Sequence, residues 1–317
     1  MDRRDFLKKT ANAAGLAALT GIVGFDFHNR ETSSYQAAIV KTKTFEVARD
    51  ESLPAIALAR NENHPEALRT ALDAIGGIRR FIQSGDRVTI KPNVGWDRLP
   101  KHAANTNPEL VAEMVRLCLA AGASAVIVTD ITCNDARRTF IRSGIKEAAE
   151  GAGAKVILPS EDDYVMTDLG GELLTVWPVL KYFIETDKFI NMPITKQHSL
   201  SSCTIGMKNL YGILGGRRNQ LHQQIDQSIV DLVSFIRPTL NVVDATRVLM
   251  RNGPQGGSIA DVNIENTVIC STDIVAADAR ACEFLGLKAE NVRHIMLAAQ
   301  SGLGQVDYHA AGYKEIA

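Results

Sequence analysis

From Leu53 onward, short β-rich runs alternate with helical patterns, and this alternation leaves few architectures open to the chain. Ala55 to Ala59, Arg87 to Lys91, Ala125 to Asp130, Lys155 to Leu158, Lys188 to Asn191, Leu240 to Asp244 and Thr267 to Cys270 read as strands. Helical patterns run from Pro65 to Ile82, Pro108 to Ala121, Ala136 to Glu150, Cys203 to Leu214 and Asp226 to Ile236, and two more helices start at Asp273 and Ala289. Asp168-Leu-Gly-Gly-Glu172 reads as a turn between two strands. Parallel strands need a crossover of a dozen or more residues, and a helix is the usual one. The sequence therefore predicts an α/β fold: a largely parallel sheet with helices on both faces, plus a β-hairpin insertion. Residues 53–317 read as a single domain, and residues 31–52, with little apolar periodicity, as a linker.

The amino terminus carries a different kind of signal. Arg3-Arg4 followed by Phe6, Leu7 and Lys8 resembles a twin-arginine export signal. Ala11 to Phe25 behind it is too short and too mildly apolar for a confident membrane span. No small-x-small pair closes that run, so residues 1–30 read as an export signal or a retained tether. Both place the protein in the periplasm or cell envelope, with the export machinery as a partner. The five cysteines are odd in number and show no C-x-x-C spacing, so neither a disulfide framework nor an iron–sulfur motif is present. Cys118 and Cys282 sit in apolar helical contexts and read as core. A net charge of −1 argues against a dedicated nucleic-acid binder.

Against that near-neutral background, Lys188 to Ile225 contains no carboxylate in 38 residues. The chain's 36 Asp and Glu in 317 residues would put about four there by even distribution. The stretch holds Lys188, Lys196, Lys208, Arg217, Arg218, His198 and His222, and reads as the wall of a pocket for an anion.

Open parallel sheets bind ligands beyond the carboxyl ends of their strands. At those ends lie Lys91 and Asn93, Asp130, Lys196 with His198, and Asp244. Each alone is equally a capping or turn residue, and their coincidence at one end of the strands is what points to a site. Lys208-Asn209 stands in an otherwise apolar segment, so its ammonium meets either solvent, a buried counter-charge or a ligand. Gly215-Gly216-Arg217-Arg218 reads as a flexible turn presenting two guanidiniums. His198 and His222 lie too far apart in sequence for spacing to establish a metal site. Asp273 reads as a helix N-cap, and Asp278 could face the sheet end with Asp130 and Asp244.

Lys91-Pro-Asn93, Thr106-Asn-Pro108, Asp130, Asn191-Met-Pro193 with Lys196 and His198, Thr204, Lys208-Asn209, Gly212, His222, Asp244-Ala245, Gly253-Pro254 and Asp273 to Asp278 together resemble the domain-of-unknown-function 362 family. The likeness spans roughly residues 85–305 and brings no assigned reaction. Some members are similar to fusions with iron–sulfur ferredoxin modules, which implies redox partner proteins; this chain lacks such a module. Cys203 stands where a small or β-branched residue is expected.

The expected function is an exported protein, in a redox-linked role, that binds an anionic substrate or cofactor. Lys196, His198, Lys208, Asp130 and Asp244 are the catalytic candidates, and Lys91, Asn93, Asn209, Gly215 and Gly216 the cofactor-binding ones. His222 and Asp278 are the candidates for a metal ion, the other cofactor expectation being a cluster held by a partner. The alternatives are a non-catalytic binding protein for a carboxylate, phosphate or metal complex, and a tethered structural protein. A strongly perturbed Lys or Asp beside a pocket separates catalysis from capture.

Overall fold

A computed structural model describes residues 44–316. The export segment and linker residues 31–43 lie outside the described residues. In chain order the strands are β1 (Ile56–Arg60), β2 (Arg87–Pro92), β3 (Ala125–Thr129), β4 (Lys155–Ile157), β5 (Tyr164–Asp168), β6 (Val176–Leu180), β7 (Lys188–Met192), β8 (Ile194–His198), β9 (Ser202–Thr204), β10 (Leu240–Leu249), β11 (Val262–Ser271) and β12 (Tyr313–Ile316). The helices are α1 (His64–Ala74), α2 (Ile78–Phe81), α3 (Pro108–Ala121), α4 (Ala136–Arg142), α5 (Ile145–Gly151), α6 (Gly206–Asn209), α7 (Ile225–Phe235), α8 (Ile274–Cys282) and α9 (Arg293–Gln300).

The main sheet runs β12-β1-β11-β10-β7-β2-β3-β4, with β8 added to β10 and β9 to β8. Neighbours from β10 through β7, β2, β3 and β4 are parallel, whereas β11 is antiparallel to both β1 and β10. The fold is thus a mixed, mostly parallel α/β sheet, and β5 and β6 form the separate antiparallel hairpin.

Side chains alternate between two cores because successive strand residues point to opposite faces. Ile56, Leu58, Phe189, Val243 and Ile269 join the core built with α6 to α9. Their neighbours Ala57, Ala59, Ile190, Val242 and Val268 join the core built with α1 to α5. Fully burying one such Val, Leu, Ile or Phe contributes about 1.5–3 kcal/mol. Both faces are therefore covered, which explains why the central strands read as almost continuous apolar runs.

Three differences from the sequence reading have local causes. The helix expected over Pro65 to Ile82 breaks between α1 and α2, where Gly76 and Gly77 take φ values of +107° and +74°. The helix expected over Ala136 to Glu150 breaks likewise at Gly144, with φ +74°. The segment read as a helix from Cys203 begins instead as β9, which pairs back onto β8 in the register Lys196 to Thr204 and His198 to Ser202. Part of the expected linker is also packed: Phe45 is buried and meets Phe189 edge to face at 6.2 Å.

The chain order of the sheet reverses between β2 and β7. From β2 the chain continues outward to β3 and β4, then returns to place β7 on the other side of β2. A crevice opens beyond the strands' carboxyl ends at such a reversal.

Candidate functional site

A cavity of about 540 Å³ lies over that reversal. Of the sequence candidates, Lys91, Asn93, Asp130, Lys196, His198, Lys208, Asn209, Gly216 and His222 line it. The pairing of β8 with β9 accounts for two of them: Lys196 and His198 are two residues apart on one strand and share a face, while Gln197 turns away and its Oε1 accepts from Gly253 N at 2.8 Å.

The floor is a network of buried side chains. Lys91 Nζ pairs with Asp130 Oδ1 at 2.6 Å and donates to Asn209 Oδ1 at 3.2 Å. Asp130 Oδ2 accepts from Val94 N at 2.7 Å. Asn93 Nδ2 donates to Asn209 Oδ1, whose own Nδ2 donates to Asn191 Oδ1 at 2.8 Å. Gly212 passes directly over the ion pair: a Cβ there would overlap Asp130 Oδ1 and stand 2.6 Å from Lys91 Nζ. Only glycine fits at so close a passage.

The three buried lysines are satisfied to very different degrees. Lys91 has a carboxylate. Lys196 has two neutral acceptors, Asn93 Oδ1 at 2.9 Å and Ala104 O at 2.7 Å. Lys208 has neither; its ammonium sits 3.5 Å from the centroid of the Tyr211 ring, a cation–π contact. Burial is the main cause that lowers the pKa of each lysine, and for Lys91 the Asp130 charge opposes it. Lys196 and Lys208 are brought down to about 7. Burial, with Lys208 and Lys196 adding to it, also lowers His198 to about 3. His222 is lowered by burial and then by Lys208.

Lys208 and Asn209 are placed by the short helix α6. The first two backbone N–H groups of that helix, at Gly206 and Met207, donate to the Asp278 carboxylate at 2.7 and 3.0 Å. Gly206 is required, since a Cβ would come within 2.7 Å of Asp278 Oδ1.

Three sequence candidates do not line the cavity. Asp278 is the α6 cap just described, with burial raising its carboxyl to about 7 against those two donors. Asp244 accepts from Asn107 N, Thr246 N and Thr246 Oγ1 at 2.7–2.9 Å, so its oxygens are spent fixing the start of α3 and the middle of β10. Gly215 lies behind the wall: its N donates to Pro178 O, its O accepts from Trp177 Nε1, and a Cβ would strike the Tyr164 ring. The β5–β6 hairpin thus buttresses the segment after Leu214 that carries Gly216, Arg217 and Arg218 to the rim. Spacing could not separate the two aspartates from the site, because a caps-and-turns carboxylate and a catalytic one look alike in sequence.

The sequence reading also missed several lining residues: Trp96, Cys133, Tyr211 and Asn219. Only Tyr211 carried a usable signal, its helical i+3 spacing from Lys208. Arg218 bridges the rim, donating to Ile131 O and Thr132 O at 3.3 and 3.1 Å. Cys203 is buried beside Cys282, with their sulfurs 4.0 Å apart, and belongs to the core. Among the described residues, no group of three or more His, Cys, Asp or Glu is placed to hold a metal ion. His222 lines the cavity without such companions.

The fold and cavity define a mostly parallel α/β protein with a cationic pocket at the reversal of its sheet. The chain belongs to the family described as Domain of unknown function (DUF362), whose model matches residues 88–283. It is 27% identical over 252 residues to a thylakoid-associated protein of Synechocystis, covering 75% of this chain and 74% of the relative. Two solved structures share 12% identity with it over 75% of its length. They are the lactate racemase apoprotein of Thermoanaerobacterium thermosaccharolyticum, with a TM-score of 0.41, and a Thermotoga maritima protein, with a TM-score of 0.38. The alignments cover 58% and 59% of those two chains.

Proposed function

We propose that the cavity binds a small oxyanion, a carboxylate or a phosphate, and carries out proton transfer on it. The observation behind this reading is the imbalance of buried charge. Asp130 is the one carboxylate among the lining residues and is engaged by Lys91, while Lys196 and Lys208 have no carboxylate partner among the described residues. A buried ammonium without a counter-ion is costly, and a ligand anion would supply the missing charge.

The values near 7 for Lys196 and Lys208 favour catalysis over simple capture. A general acid or base works best when its pKa lies near the working pH, and capture needs no such tuning. In this reading Lys208 meets the anion, Lys196 exchanges the proton, and the Lys91–Asp130 pair holds the floor rigid. A redox role has the family likeness alone behind it.

The test is proton NMR in deuterium oxide of carboxylic acids that bind the protein. Exchange of a ligand C–H with solvent, lost in Lys196→Ala, is the expected result. Binding of many such acids with no exchange in any of them would leave the alternative, a non-catalytic binding protein.

We further propose that Arg3-Arg4 directs export and that the protein works at the cell envelope. Support comes from the motif and from the thylakoid association named for the Synechocystis relative. No helix among the described residues is long and apolar enough to cross a membrane. Cell fractionation should find Arg3→Lys/Arg4→Lys protein retained inside; an unchanged distribution would refute this.

A further inference from the structure

We infer that His198 is held as a neutral imidazole whose Nε2–H donates to an oxygen of the bound anion, which makes it a specificity-determining residue of the cavity. This rests on the oxyanion reading above and adds to it the group that recognises the ligand and the form that group takes. The warrant is the turn between β8 and β9. There His198 Nδ1 accepts from Leu200 N at 3.1 Å and from Ser201 N at 3.3 Å. A ring nitrogen receiving two N–H donors presents its lone pair to them, so the proton of the neutral ring sits on Nε2. Protonating Nδ1 would turn an N–H against both backbone donors. A metal ion on Nε2 would meet the same obstacle, because the ring proton would have to move to Nδ1 or leave.

Nothing nearby favours a charged ring either. The titratable groups that act on His198 are Lys208 from α6, Lys196 from its own strand, His222 from the segment after the Arg217-Arg218 rim and His294 from α9, with no carboxylate among them. No described residue accepts a hydrogen bond from Nε2, while the ring lines the cavity. Lys208, Lys196 and His198 thus form a wall of donors. Such a wall rejects cations and ligands that offer only donors, and selects oxygen acceptors carrying negative charge. A neutral histidine serving as a fixed donor also leaves proton exchange to the lysines.

The test combines spectroscopy with isosteric substitution, using oxalate and inorganic phosphate as probes. Nitrogen-15 NMR of histidine-labelled protein should show a ring protonated on Nε2 that does not titrate between about pH 5 and 8, with the Nε2–H signal shifting when oxalate or phosphate is added. His198→Gln carries an amide N–H that can reach the Nε2 position, whereas His198→Asn reproduces only the Nδ1 side. Glutamine should retain binding within about threefold, while Asn and Ala weaken it by about tenfold or more; Asn, which keeps an acceptor for Leu200 N and Ser201 N, should hold thermal unfolding near wild type, so that its loss of binding reports on the missing Nε2–H. The probe that binds more tightly tells carboxylate from phosphate ligands, and loss of either in His198→Asn, with binding retained in His198→Gln, supports the donor role. A ring protonated on Nδ1, or titrating near pH 6, would overturn it. So would wild-type affinity in His198→Ala; if Lys208→Met abolishes binding at the same time, the anion site stands and only the donor role falls. Failure of the wild-type protein to bind either probe would remove both readings together.

Discussion

Three buried carboxylates among the described residues and the three buried ammoniums of the cavity live under opposite conditions. Asp244, Asp278 and Asp231 each receive two or more hydrogen bonds, most from backbone N–H groups, and each ties together segments distant in sequence. Lys91, Lys196 and Lys208 form a descending series at the cavity: a carboxylate, then two neutral oxygens, then an aromatic face. Folding alone accounts for these three acids, because backbone donors that would otherwise be orphaned need them. It does not account for Lys208, whose burial works against the folded state. Residues kept in place at a cost in stability mark function more reliably than residues that are merely buried and polar.

Substitutions can break this contrast, and the largest effect belongs to the one residue on both sides of it. Asp130→Ala strands the Lys91 ammonium and should cost about 3–5 kcal/mol in urea unfolding. A loss under about 1 kcal/mol would mean the pair is not a structural unit. Asp278→Ala leaves two N–H groups of α6 without acceptors, and about 3 kcal/mol should be lost. Binding of oxalate should weaken along with it, since α6 carries Lys208; intact binding would show that the helix is held by other contacts.

Lys208→Met should leave stability within about 1 kcal/mol of wild type or raise it, and the difference should depend on pH. The folded pKa of Lys208 is about 7, well below its ordinary 10.5. Between those values the unfolded chain binds the extra proton, so wild-type stability rises with pH across that window, by at most about 1.4 kcal/mol per pH unit for each such lysine. The penalty is therefore fully present below pH 7, and the methionine variant should gain most there. Parallel stability curves for the two proteins from pH 6 to 10 would contradict the assignment.

The sheet was legible because apolar runs and helical periods have different repeats, and the crossover rule does the rest. What stayed hidden were breaks set by backbone freedom at Gly76, Gly77 and Gly144, and the β8–β9 hairpin, whose strands are too short and too polar to show a period. The acid-free stretch found Lys196, His198, Lys208 and His222 because a local charge imbalance survives folding. Asp244 and Asp278 misled for the reason that separates the two regions above: a sequence shows that a carboxylate lies near a strand end or helix start, but not how many N–H groups converge on it. Trp96 and Cys133 reach the cavity from loops after β2 and β3 and carry no pattern of their own.

The central claim is that Lys208 waits for an anion, and titration calorimetry with oxalate from pH 6 to 9 tests it most directly. Oxalate keeps a constant charge over that range, so any change in affinity reports on the protein. Wild-type protein should bind most tightly at pH 6 and weaken as pH rises through 7 and the lysines lose their protons, with proton uptake on binding that makes the observed heat depend on the buffer near neutrality. Lys208→Met should not bind. Affinity that is flat with pH, or equal in wild type and Lys208→Met, would contradict the account.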